Sequence, residues 1–196
     1  MCSQYQIKLP LHVVEQSFSH TRFRLRFPEG RPNFEPRDQV TIGDAAPLIL
    51  SGDAGPELRT LPFSWKGPGG RPVFNFRSDQ RSFTDSRRCL VPASAFYEFT
   101  DPQPGQRRKT KWEFTLTDAS WFWLAGIVRD GGFALLTTGP GPDIEPYHNR
   151  QVVLLRPEAG SDWLDLSQPE SDLLGPLPAG SLNVERVFPP EEPGLL

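Results

Sequence analysis

The densest apolar pattern lies late in the chain, where residues 112–117, 121–128 and 133–138 are rich in aromatic and β-branched side chains. Asp118-Ala119-Ser120 and Asp130-Gly131-Gly132 separate these runs. Strand-forming runs broken by short turn formers predict a meander of three strands. Residues 151–155 and 182–188 are two further strand candidates. Near the other end, residues 21–27 (Thr-Arg-Phe-Arg-Leu-Arg-Phe) alternate arginine with apolar residues, the period of a half-buried strand. From 28 to 72, proline or glycine recurs every few positions. That stretch therefore reads as loops with short strands such as 47–50. Residues 71–75 carry one more strand into the polar segment 77–88, and 89–99 is compact and mixed. Helical turns are expected at 13–18 and 162–166, and a loose proline-rich tail at 189–196.

Composition narrows the class. A chain of 196 residues with 37% hydrophobic and 11% aromatic content can bury one core. Its 22 prolines and 17 glycines disfavour long helices. The chain lacks an 18-residue apolar run and a signal-peptide pattern, so no membrane partner and a cytoplasmic location are expected. Two cysteines and three histidines without metal spacing lead us to expect no metal and no cofactor. Charge is unevenly spread: residues 71–111 hold nine basic and four acidic side chains, whereas 157–196 hold one arginine and eight acids. Arginines outnumber lysines 17 to 4, and the guanidinium fork suits phosphate. A phosphate-binding face and ordinary surface charge both fit these counts.

Four positions carry candidate chemistry. Cys2 becomes the first residue once Met1 is removed, and a thiol and an α-amine then sit on adjacent carbons. With ordinary pKa values near 8.5 and 8, both are partly deprotonated at neutral pH. Such an aminothiol attacks acyl carbons, or traps an aldehyde as an imine that the thiol closes to a thiazolidine. Glu98 lies among aromatics in Ala95-Phe96-Tyr97-Glu98-Phe99, a setting that raises a carboxylate's pKa toward neutrality. His148, two positions before Arg150, is a possible acid or base beside an anion. Asn75, Arg77 and Ser78 offer an amide, a guanidinium and a hydroxyl directly after a candidate strand. Each has an ordinary alternative: a start-codon cysteine, a solvated glutamate, a surface histidine, a turn asparagine.

The order of the motifs changes those odds. The chain reads Met1-Cys2, Asn33-Phe34-Glu35-Pro36, Trp65, then Asn75-Phe76-Arg77-Ser78-Asp79. It continues with Arg87-Arg88-Cys89-Leu90-Val91-Pro92, Phe96-Tyr97-Glu98 and His148-Asn149-Arg150. This resembles the SOS response-associated peptidase family of abasic-site processing proteins, whose members read MCGR, NxAP, RWGL, NARSE, RRCLVPAxGFYEW and HDRMP in the same order. The resemblance spans roughly residues 1–165. Ser3-Gln4 stands where the family has Gly-Arg, Asp79 where it has Glu, Phe99 where it has Trp, and Asn149 where it has Asp.

The resemblance implies an α+β fold, a single domain over 1–188 built around a bent, barrel-like, mainly antiparallel sheet. It also implies an abasic-site sensor in single-stranded DNA, acting in the SOS response to DNA damage. Cys2 would form a thiazolidine crosslink with the ring-opened abasic aldehyde after loss of Met1. Asn75 would orient the sugar, and Glu98 and His148 would move protons. Arg77, Arg150 and Ser78 would meet the DNA backbone, while Trp65, Pro36 and Phe99 would pack on flanking bases. The protein would act as a monomer, nucleoid-associated when bound. The alternatives are a cysteine autopeptidase of the N-terminal-nucleophile type, and a non-catalytic single-strand binder.

Overall fold

The computed structural model describes residues 2–19, 21, 24–52, 54–102, 105 and 107–190. The chain opens with β1 (Gln4–Ile7), a short helix α1 (Leu11–Ser17) and β2 (Arg37–Thr41). Next comes the hairpin β3 (Ala45–Gly52) and β4 (Gly55–Pro62), followed by the small pair β5 (Trp65–Lys66) and β6 (Pro72–Val73) and then β7 (Asn75–Arg77). The middle holds β8 (Arg87–Ala93), β9 (Ala95–Thr100), β10 (Thr110–Leu116), β11 (Phe122–Arg129) and β12 (Gly132–Thr138). Two-residue strands β13 (Gln151–Val152) and β14 (Leu154–Leu155) precede α2 (Gly160–Asp165) and α3 (Glu170–Leu173), and β15 (Leu182–Phe188) ends the series.

Apart from the separate β5-β6 pair, these strands form two bent, mainly antiparallel sheets that do not close into a barrel. The first has the order β15-β10-β9-β1-β2, and the second β13-β12-β11-β8-β3-β4. Within the second sheet, β14 pairs with β11 and β7 adds to β12 in parallel. One apolar cluster fills the space between the sheets. Phe96 of β9 stacks on Phe114 of β10 at 4.9 Å and meets Phe122 of β11 edge-on at 6.2 Å. Tyr5 of β1 meets Phe63 at 5.5 Å, which in turn stacks on Phe133 of β12 at 5.1 Å. Aromatic pairs of this geometry add about 0.5–1.5 kcal/mol beyond area burial. The fold is the expected mainly antiparallel α+β type with few helices.

Several elements differ from the sequence pattern. The 89–99 stretch is two strands, and Ser94 between them is where the chain leaves the second sheet for the first; its amide donates to the Gln6 carbonyl at 2.8 Å. The expected meander is only half present. β11 and β12 form a hairpin, but β10 pairs with β9 and β15, so the 117–121 link crosses between sheets instead of turning back. The 151–155 run splits because Val153 passes between partners: β13 bonds β12 and β14 bonds β11. The proline-rich region contains the eight-residue strands β3 and β4. Pro56 and Pro62 fall near strand ends, and Pro47 lies outside the Ile49–Leu50 stretch where β3 also pairs with β8. Proline is tolerated in such places because no inner ladder bond is lost. Of the 21–27 segment, Arg22 and Phe23 lie outside the described residues, and Arg26 makes only an isolated bridge to Glu57. Most of the tail, residues 191–196, is also outside them.

Candidate active site at the amino-terminal end of the first sheet

Cys2 immediately precedes β1, and the sheet order fixes what lies beside it. β1 pairs with β9 in a register that sets Gln4 opposite Tyr97, which puts the start of the chain next to Glu98. Cys2 is fully buried, and its Sγ donates to the Gln4 carbonyl at 3.1 Å. Burial, reinforced by the charge of Glu98, pushes its thiol up to about 12. The Cys2 carbonyl accepts a 2.8 Å hydrogen bond from Asn75 Nδ2. Asn75 Oδ1 is buried and has no partner among the described residues. Asn75 comes from the second sheet, where β7 runs parallel to β12 with Asn75 opposite Leu135. The site is therefore closed by both sheets.

Glu98 is 1% exposed. Alternation along β9 turns it to the same face as Phe96, toward the interior. Burial raises its carboxyl to about 7, although the positive charge of the amino terminus pulls the other way. Trp112 lies directly across the ladder from Glu98, and its indole Nε1 donates to Thr100 Oγ1 at 3.0 Å. Tyr147 packs on Trp112 at 4.7 Å and on Phe114 at 5.4 Å. Those contacts seat the 144–150 turn, and with it His148, on the face that carries Glu98. Burial lowers the pKa of His148 and the amino-terminal charge lowers it further, although the Arg150 backbone hydrogen bond pulls the other way, and the net shift favours the neutral ring. Its Nδ1 accepts the Arg150 amide at 3.0 Å, which leaves the neutral ring's proton on Nε2. Cys2, Asn75, Glu98 and His148 thus come together from four separate stretches of chain.

The expected DNA contacts divide. Arg77 is exposed and has no ion-pair partner among the described residues. Pro36 is exposed and Phe99 half-buried. Three others are engaged internally. Trp65 is 6% exposed, packed on Phe76 at 6.2 Å with the Arg129 guanidinium over it, so it is a core ring and not an open stacking platform. Ser78 is buried, and its amide and hydroxyl both bond the Thr137 carbonyl, at 2.8 and 2.9 Å. Arg150 pairs with Asp79 and donates to Thr137 O at 2.7 Å and Thr137 Oγ1 at 3.0 Å. Sequence reasoning missed Tyr147 and Thr137, which seat the histidine turn; no local pattern marks either. Among the described residues, no cluster of three or more potential metal ligands occurs, and no helix is long and apolar enough to cross a membrane.

Comparison with known proteins places this geometry in context. The family model described as "SOS response associated peptidase (SRAP)" matches residues 1–189. A Bacillus subtilis protein named abasic site processing protein YoqW is 28% identical, covering 89% of this chain and 84% of its own length. The protein of the same name from Bacillus phage SPbeta matches equally well. Among solved structures, a Bordetella bronchiseptica protein superposes with a TM-score of 0.69 at 24% identity, over 95% of this chain and 99% of its own. A Bacteroides thetaiotaomicron protein gives the same TM-score at 18% identity, over 94% and 91%. These two structures establish the fold.

Proposed function

This chain belongs to the SOS response associated peptidase family, and from that membership we propose that it captures abasic sites in single-stranded DNA as a covalent thiazolidine at Cys2. The observation that carries the reading is a carboxyl 1% exposed and raised to about 7 beside the aminothiol position. The relatives named for abasic-site processing supply the substrate class.

The chemistry follows from the groups present. After loss of Met1, the Cys2 α-amine adds to the aldehyde carbon of the ring-opened sugar. Loss of water gives an imine, and Sγ adds to the imine carbon while the thiol proton ends on nitrogen. The net change is aminothiol plus aldehyde giving thiazolidine plus one water. A thiol held near 12 is a poor first nucleophile at neutral pH, so the amine attacks first. Glu98 titrates where it can both give a proton to the departing hydroxyl and take one from the thiol. His148 presents Nε2–H as donor to the sugar oxygen during ring opening. Asn75 fixes the Cys2 backbone by donating Nδ2–H to the Cys2 carbonyl, and its Oδ1 accepts from a sugar hydroxyl. Arg77 holds a phosphate beside the lesion, and Phe99 and Pro36 border the strand.

The test is a denaturing gel of Met1-free protein with single-stranded DNA carrying one abasic site. A retarded band that requires both the lesion and Cys2 is expected. Its absence, with loss of Met1 verified by mass, overturns the reading and leaves a binder or an autopeptidase.

A further inference from the structure

Between His148 and Arg150 lies Asn149, which is exposed and uncharged. A carboxylate reaches Arg150 from a different part of the chain. The Arg150 side chain is 12% exposed and forms an ion pair with Asp79 of the segment after β7. Its Nη2 also grips Thr137 of β12 through both the carbonyl and the hydroxyl. Asp79 is itself anchored, because Ser78 bonds the same Thr137 carbonyl with its amide and its hydroxyl. Burial alone would raise the Asp79 carboxyl, but the Arg150 hydrogen bond and charge hold it below the usual range. Arg150 is thus held at its guanidinium by two segments of the second sheet. At its other end, the Arg150 amide donates to His148 Nδ1.

We propose that Asp79 is a positioning residue: through its ion pair with Arg150 it keeps the Arg150 amide on His148 Nδ1, and so fixes the tautomer that presents Nε2–H to the site. A neutral imidazole exchanges readily between tautomers, and the hydrogen bond at one nitrogen decides which form holds the proton. Asp79 touches no reacting atom. It acts through the 148–150 turn. The inference rests on the crosslinking reading for its consequence but not for its geometry.

The experiment records long-range ¹H–¹⁵N spectra of the histidine rings in full-length protein at pH 8, without DNA, with the His148 signals identified by their loss in His148→Gln. Wild-type protein is expected to show an unprotonated Nδ1. Asp79→Asn is expected to mix the tautomers and slow crosslinking roughly tenfold, a fraction of the 10²–10⁴ that a positioned acid or base contributes. Asp79→Glu is expected to recover both. Should Asp79→Asn fail to fold, Arg150→Lys, which keeps the cation but loses the fork, is expected to mix the tautomers likewise. A wild-type ring protonated at Nδ1, or a folded Asp79→Asn or Arg150→Lys with the wild-type tautomer, overturns the proposal. Because the spectra need no DNA, a wild-type protein that fails to crosslink would sink the functional reading and leave the tautomer result standing.

Discussion

The two cysteines sit in two kinds of interior. Both are fully buried and unpaired, and burial raises both thiols above their ordinary value. Cys89 lies in β8 at the centre of the second sheet, directly across the ladder from Gly126. A Cβ on Gly126 would stand 2.8 Å from its Sγ. The Arg87 charge opposes the effect of burial on its thiol, and its backbone carbonyl accepts the Trp163 indole N–H at 3.0 Å. Cys2 lies where the sheets meet, with the Glu98 carboxyl, the Asn75 amide and the Gln4 carbonyl around it. Exposure and thiol acidity alone do not separate the two cysteines; the polar groups around each do.

The largest expected effect separates the two thiols. Cys2→Ala is expected to abolish the crosslink, while Cys89→Ala leaves its rate unchanged; gel quantification of both variants makes the comparison. Next is the acid. Glu98→Gln should slow crosslinking by about 10²–10⁴, the usual contribution of a positioned proton-transfer group. The same substitution should stabilise the fold in alkali. Glu98 has a folded value near 7 against 4.5 for the free group, so the folded state holds its proton to higher pH. Stability is therefore lost as pH rises through that window, by up to about 3 kcal/mol. Denaturant melts should show wild type and Glu98→Gln alike near pH 4 and the variant ahead at pH 9. A constant gap would mean that Glu98 is not the buried titrating group.

Packing predicts smaller changes around the other thiol. Gly126→Ala would drive its Cβ to 2.8 Å from both the Ala134 carbonyl and Cys89 Sγ, and overpacking of this kind costs about 1–3 kcal/mol. Only the sulfur clash is removable, so adding Cys89→Ala should return part of that loss, and a double-mutant cycle of urea midpoints reads the coupling. Smallest is Cys89→Ala alone. Loss of one buried sulfur should cost about 1 kcal/mol, again with crosslinking intact.

Much of this contrast was legible in the sequence. The motif order picks out Cys2, Asn75, Glu98 and His148, and the structure brings the four together where Asn75 of the second sheet meets the amino-terminal end of the first. The aromatic and β-branched runs mark β10, β11 and β12, and β15 alternates buried with more open positions as a half-buried strand does. The sheet each strand joins was not legible: β10 and β11 look like neighbours in the chain, yet the 117–121 link sends them to different sheets. β1, four residues long with a polar start, carries too little pattern to be seen, although it is the strand that delivers Cys2. A motif names residue types without their burial. For that reason Trp65, Ser78 and Arg150 read as DNA contacts, while the fold engages them in an aromatic contact, the Thr137 carbonyl and the Asp79 ion pair.

The most direct test of the central claim is the mass of the covalent product. Met1-free protein incubated with a single-stranded oligonucleotide bearing one abasic site should yield a species equal to the sum of the two less one water. Digestion should place the DNA remnant on the peptide that begins with Cys2. An adduct on Cys89 or on a lysine, or one reducible by borohydride as an open imine, would contradict thiazolidine closure by the Cys2 thiol.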